Sequence, residues 1–191
     1  EWLHQMLDKL APSGTAPAVS KKPQLTPAEA REFWLAVMRQ RPVPERAKSS
    51  LEELRPIFTA ERVPSELVWV AEVESAFDPA ACSPVGAVGL FQLMPETAEA
   101  LGLSVREPDE RQDAFKNARA AARYLLHLHD RFGDWRLALA AYNGGPTRVA
   151  RLLRDSDRYA YEAIAARLPA ETRDYVARVE ATLLVREGVE L

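Results

Sequence analysis

From Thr26 to about residue 187, apolar side chains recur at the three-and-four spacing of an amphipathic helix, and no sustained period-two alternation interrupts them. Thr26-Pro27-Ala28-Glu29 is a capping box with proline at the first helical position, so a helix is predicted over 27–40, carrying Phe33, Trp34, Val37 and Met38. A second is predicted over 44–58, where Ala47, Leu51, Leu54 and Phe58 form one stripe. Residues 64–75 open on Pro64 and are apolar almost all round, the pattern of a buried helix. A short helix follows Pro95 and stops at Gly102, and a long one is predicted over about 112–132, ending before Gly133. Asp134 can cap a helix that stops at Asn143-Gly144-Gly145; Pro146 can start another, and Pro169 a last one through about 187. The expected fold class is all-α.

Before Thr26 the pattern changes. Residues 1–10 place Trp2, Leu3, Met6, Leu7 and Leu10 at helical spacing, too short a run to hold as a helix unless it docks on something. Residues 11–24, with Pro12, Ser13, Gly14, Pro17 and Pro23, have the composition of a linker. The expected organisation is a short helix of an N-terminal appendage at 1–10, a linker at 11–24, a helical lead-in at 25–60 and the main unit at 61–191. The first residues show no charged-then-apolar leader.

Composition narrows the partners. Twenty-five Lys and Arg against 28 Asp and Glu give a formal charge of −3, so no global positive field draws the chain to nucleic acid. No stretch approaches the roughly 18 consecutive apolar residues of a membrane span. The single cysteine, Cys82, cannot pair within the chain and reads as a packing residue. His127 and His129 are two apart, not the four apart that places a ligand pair on one helix face, so neither a metal site nor a cofactor is expected.

The candidate chemistry starts at Glu74. Counted from Leu67, Val70 and Ala71, it falls on the apolar stripe of the buried helix, so a carboxyl faces the interior. Desolvation favours the neutral form, which is how a carboxylic acid stays protonated near neutral pH and serves as a general acid. Taken alone, the same placement fits an acid satisfied by a helix cap or an arginine. Glu72 is offset by about 200° around the helix and is expected to be solvated. Beyond Glu74 lie an irregular stretch over 83–92 with two glycines, and a loop at Tyr142-Asn143-Gly144-Gly145-Pro146; each reads equally as a binding loop or a plain turn.

Five segments occur together in a recognisable order: Glu74-Ser75-Ala76-Phe77-Asp78-Pro79, Ser83-Pro84-Val85-Gly86-Ala87, Gly89-Leu90-Phe91-Gln92-Leu93-Met94-Pro95, Ala141-Tyr142-Asn143-Gly144-Gly145-Pro146 and Glu171-Thr172-Arg173-Asp174-Tyr175-Val176. They resemble the soluble-lytic-transglycosylase (SLT) domain, family 1, over about residues 60–187, and the lead-in at 25–60 is similar to that of the branch of membrane-bound lytic murein transglycosylase D. Phe91 stands where that family more often has Met, Ile or Trp.

The resemblance implies a lysozyme-like (goose-type/SLT) helical domain with a deep glycan cleft. It implies cleavage of peptidoglycan strands between N-acetylmuramic acid and N-acetylglucosamine without water, in the periplasm or cell envelope. Glu74 is then the catalytic acid and later base. Ser83, Gln92, Met94, Tyr142, Asn143 and Glu171 match positions that line the cleft or support the catalytic group, and Ser75 and Tyr175 match further motif positions. A hydrolytic muramidase of goose-lysozyme type and a catalytically silent glycan-binding module are the alternatives. Outside the motifs, Arg148, Arg151, Arg154 and Arg158 form a basic face, read as solvated and paired with acids such as Asp155, with the acidic peptides of peptidoglycan as a second use.

Overall fold

A computed structural model describes residues 25–191, so the expected helix at 1–10 and the linker at 11–24 lie outside the described residues. The described chain is helical, with isolated β-bridges of Val88 to Cys82 and Leu93 in place of a sheet. Helix α1 spans Pro27–Gln40, and its Thr26/Glu29 capping box closes in both directions. Helix α2 spans Glu45–Ala60. The buried stretch after Pro64 divides into a 3₁₀ segment, Ser65–Trp69, and α3, Val70–Ser75, where one continuous helix is predicted. Then come α4 (Pro95–Ala100), α5 (Ala114–Phe132), α6 (Trp135–Gly144), α7 (Pro146–Arg154), α8 (Tyr161–Ala165) and α9 (Ala170–Glu187). Asp113 caps α5 by accepting from the Phe115 and Lys116 amides, Gly133 ends it in the left-handed region, and Asp134 accepts from Leu137 to start α6. The sequence pattern did not single out α8 or a 3₁₀ turn at Glu110–Gln112, both of them five residues or shorter.

The main core joins Leu54, Ile57 and Phe58 of α2 to Leu67, Val68, Val70 and Val73, to α5 and α6, and to Val176, Val179 and Leu183 of α9. A second, smaller core packs Ala30, Trp34, Leu35 and Met38 of α1 on Ala177 and Ala181 of α9. Helix α9 is thus clasped between α1 on one side and α3 and α6 on the other, which is why it is buried nearly all round and carries Arg173 and Arg178 inside.

Glu72 corrects the sequence reading. It is 0% exposed. The helix that carries it has no solvated face: the side opposite Glu74 meets the end of α9, where Arg186 donates from Nε and Nη2 to the two carboxylate oxygens at 3.0 and 2.9 Å, and Arg41 approaches at 3.7 Å. Arg186 also donates to the Arg41 and Pro42 carbonyls and lies over the Trp69 ring. The next residue, Glu187, accepts from Trp69 Nε1 and from Arg55. These contacts bind α2, α3, the α1–α2 connection and α9 into one unit.

Truncating Glu72 leaves two arginines with an unneutralised buried charge, which costs about 3–5 kcal/mol. Glu72→Ala is therefore expected to lower the urea midpoint strongly, and Glu72→Gln, which keeps the shape without the charge, to destabilise less; equal midpoints for wild type and Glu72→Ala would contradict the ion-pair assignment.

Candidate active site

Helix α3 is short because the chain turns sharply after it. Ala76 and Phe77 both adopt left-handed backbone, at φ 54° and 62°, a conformation that costs a residue with a side chain free energy and persists only where the surroundings hold it. Here the hold is Ser75: its hydroxyl donates to the Leu90 carbonyl at 2.8 Å and accepts from the Asp78 amide at 3.1 Å. Ser75 ties the end of α3 to the following loop and does not line the cleft.

That loop, residues 81–94, is built from inside. Arg111, buried and held flat by a bidentate contact to Asp109, donates through Nη1 to the Gly86 and Leu93 carbonyls at 2.8 and 3.0 Å. Asn117, also fully buried, accepts from the Phe91 amide at 2.9 Å and donates to the Val88 and Arg111 carbonyls. Gly89 passes so close to this pair that a Cβ would sit 2.1 Å from the Arg111 carbonyl and 2.4 Å from Asn117 Nδ2, at φ +87°. No sequence pattern pointed to Arg111 or Asn117. Both act through main-chain carbonyls and amides 18 to 29 residues away along the chain, and such partners leave no local pattern.

The loop, α3, α6 and the start of α9 enclose a cleft of about 220 Å³. Eight of the nine residues singled out from the sequence line it: Glu74, Ser83, Gln92, Met94, Tyr142, Asn143, Glu171 and Tyr175, with Val73, Val85 and Ala87 as apolar wall. Several of their polar groups are already engaged. Ser83 Oγ accepts from the Ala87 amide, Gln92 Nε2 donates to the Ala81 and Gly89 carbonyls, and the Tyr142 hydroxyl donates to the Phe91 carbonyl at 2.7 Å. What remains for a ligand is the Gln92 amide oxygen, the Tyr142 ring, which packs on Tyr124, and the exposed Asn143 and Glu171 side chains.

Glu74 is half-buried in this cleft. Desolvation pushes its carboxyl from 4.5 up to about 7; interaction with the Tyr175 hydroxyl and the charge of Arg178 pull it down only in part. Tyr175 is 4% exposed and its hydroxyl closes no full hydrogen bond. Burial, reinforced by the Glu74 charge, holds the Tyr142 and Tyr175 hydroxyls well above their ordinary value, so both stay protonated. Arg178 lies buried one turn along α9 from Tyr175, stacked on Trp34 of α1. Glu171, on the exposed first turn of α9, is the second carboxyl of the cleft.

One other reading ends differently. Cys82 is exposed, not packed inside, because it sits on the outer edge of the turn that Val88 bridges. His129 stacks on Trp135, and no group of three or more metal-ligating side chains occurs among the described residues. Another hollow, about 470 Å³ between the start of α1, α8 and the end of α9, contains none of the motif residues.

With a half-buried acid opening into a cleft between helices, and a loop braced from within, the molecule is a helical domain organised around a carboxyl-bearing cleft. Residues 59–165 match the family model described as the transglycosylase SLT domain, and the chain belongs to that family. It is 37% identical to membrane-bound lytic murein transglycosylase D of Escherichia coli (strain K12) across 62% of this chain and 27% of that protein. It is 31% identical to the soluble lytic murein transglycosylase of the same organism across 95% of this chain and 32% of that one. Among solved structures it resembles an inactive mutant of the lytic transglycosylase Slt from Pseudomonas aeruginosa, at TM-score 0.61 and 31% identity over 75% of this chain and 24% of that chain. It also resembles the 70 kDa soluble lytic transglycosylase from Escherichia coli, at TM-score 0.60 and 25% identity over 83% and 32%. The fold is accordingly lysozyme-like and helical, and the chain spans about a quarter to a third of the length of these relatives.

The raised Glu74 value carries a stability consequence. Between pH 4.5 and about 7 the unfolded chain has lost this proton while the folded one keeps it, so the folded state binds more protons and this group's contribution falls as pH rises through that window. A shift of this size corresponds to on the order of 3 kcal/mol. Glu74→Gln is therefore expected to raise the melting temperature at pH 8 relative to wild type and to leave it nearly unchanged at pH 4. A gain of the same size at both pH values would show that the carboxyl is not desolvated. Gly89→Ala is expected to destabilise by more than about 2 kcal/mol, from the contacts its Cβ would make and the left-handed backbone.

Proposed function

We propose that this chain is the catalytic unit of a peptidoglycan lytic transglycosylase, with Glu74 as the catalytic acid and then base. The observation that carries the reading is a carboxyl at the cleft whose proton is retained up to about pH 7 by desolvation. In the names of the curated relatives the substrate is murein, and the solved Pseudomonas aeruginosa protein is an inactive mutant with glutamine in place of a glutamate.

The chemistry balances with one carboxyl. Glu74 gives its proton to the glycosidic oxygen as the bond from that oxygen to the anomeric carbon of N-acetylmuramic acid breaks, and the N-acetyl oxygen of the same sugar stabilises the cation that develops. The Glu74 carboxylate so formed takes the proton of the sugar's 6-hydroxyl as that oxygen closes on the anomeric carbon. The products are a 1,6-anhydromuramoyl end and a free 4-hydroxyl; no water is consumed. Tyr142, Gln92, Ser83, Met94, Asn143 and Glu171 orient the saccharide, Tyr175 faces the carboxyl from α9, and Ser75 fixes the turn that presents it.

The presence of Glu171 in the same cleft supports a second reading, in which it holds a water that attacks instead of the 6-hydroxyl, giving a hydrolytic muramidase. Residues 25–60 act as a lead-in to the catalytic unit at 61–191, since α2 completes its core and α1 covers α9. The place of action that this substrate requires is the periplasm or cell envelope. No helix among the described residues is long and apolar enough to cross a membrane.

Mass spectrometry of digested sacculi is expected to show fragments lighter by one water per cut; reducing ends throughout would give the hydrolytic reading instead. Glu74→Gln is expected to lower the rate at least about 100-fold. The pH profile of kcat/KM is expected to fall about tenfold per unit above about pH 7, because the acid must enter protonated. It has no acid-side limb from Glu74, since the carboxylate needed later arises in the first step. A flat rate to pH 9 would remove Glu74 from the role.

A further inference from the structure

Helix α7 departs from the charge of the rest of the molecule. The whole chain carries a formal −3, yet Pro146–Arg154 holds Arg148, Arg151 and Arg154 and no acid. The three are exposed and three residues apart, so neighbours on the helix repel one another. Their neutralisation is slight: Arg154 has Asp155 at 3.5 Å on the surface, and Arg148 donates to the Gly144 carbonyl at 3.2 Å. Arg151 has no ion pair among those found for the described residues.

Two of these arginines line a hollow of about 340 Å³ with Gly144, Gly145, Pro146 and Thr147. Its position is fixed by the chain. Asn143 lines the cleft of Glu74 and the next residue, Gly144, lines the hollow, so the two concavities share a wall. That wall is rigid, because Gly144 packs on α9 so closely that a Cβ there would lie 2.8 Å from Thr172 Oγ1. Arg148 and Arg151 follow Asn143 by five and eight residues, on the helix that Pro146 starts.

We infer that the hollow at the start of α7 is a subsite for the peptide carboxylates of the substrate, with Arg148 and Arg151 as the groups that hold them. This rests on the reading of the cleft as a peptidoglycan site. The muramic sugar carries its peptide on a lactyl ether, to the side of the glycan axis, and that peptide bears free carboxylates. A guanidinium matches a carboxylate in geometry as well as charge. The subsite therefore distinguishes peptide-bearing strands from bare glycan, in a cleft whose other polar contacts address sugar hydroxyls and amides.

The test compares soluble glycan oligosaccharides that keep their peptides with the same oligosaccharides stripped by an enzyme that cleaves the muramoyl–peptide amide. Both dissociation constants and kcat/KM are measured, for wild type, for Arg148→Gln/Arg151→Gln and for Arg148→Lys/Arg151→Lys. The glutamine pair is expected to weaken binding of peptide-bearing strands about fivefold at low salt and to leave bare strands unchanged. The wild-type preference is expected to shrink as salt rises. The lysine pair is expected to restore at least half of the loss. Equal loss on both substrates, or none on either, overturns the subsite. A wild type that binds both substrates with the expected preference but releases no anhydro ends overturns the catalytic reading and leaves the subsite standing.

Discussion

Two glutamates two residues apart on one short buried helix meet opposite electrostatic fates, and the rest of the structure is arranged around that difference. Glu72 turns toward the end of α9 and finds the forked guanidinium of Arg186, with Arg41 behind it. Glu74 turns toward the cleft, where the groups that face it are two protonated tyrosines and, farther in, the single charge of Arg178. A carboxylate in the first setting is compensated and serves as a clamp. In the second, the cost of desolvation exceeds what the tyrosine and the arginine return, and the proton stays. The helix thus separates an ion-paired acid from a protonated one by about 200° of rotation.

The protonated acid faces a cleft, and one side of that cleft is the loop between Ala81 and Met94. The loop has little regular structure of its own, only bridges at Val88. Its conformation is imposed by Arg111 and Asn117, which satisfy its carbonyls and amides from beneath and so leave its outer side free to form a wall of the cleft. Tyr142 contributes from the opposite wall, with its hydroxyl bound to the Phe91 carbonyl. The cleft therefore has sides cross-linked by hydrogen bonds, and its geometry does not depend on a ligand to order it.

The helical layout was legible because it rests on signals confined to a few neighbours: a capping box at Thr26, aspartates at 113 and 134, glycine at 133, prolines at 27, 95 and 146. The nine candidate site residues were legible by resemblance, and all but Ser75 converge on one cleft. What the sequence concealed were pairings across long separations. Glu72 was expected to be solvated because it points away from the apolar stripe that carries Glu74, yet Arg186 arrives from 114 residues away. Cys82 was expected inside because cysteine is usually buried, yet the turn that holds it is bound through its backbone and leaves the side chain out. Arg178, stacked on Trp34, has no counterpart in any local pattern.

The concealed partners of Glu72 and Glu74 share a location. The family match covers residues 59–165, and it includes Glu74, the loop, Arg111, Asn117 and Tyr142. The groups that set the charge balance around α3 lie almost wholly outside it: Arg41 and Trp34 before, and Tyr175, Arg178 and Arg186 after. Helix α9 supplies the tyrosine and arginine that face Glu74 and the arginine that neutralises Glu72, and α1 holds α9 in place through Trp34, Leu35 and Met38. The acid and most of its cleft wall thus come from the matched stretch, but the hydroxyl and the charge that partly offset its desolvation come from the flanking helices, from α9 directly and from α1 by holding it. Each reaches α3 only because the fold brings residues near 40 and near 180 to its back.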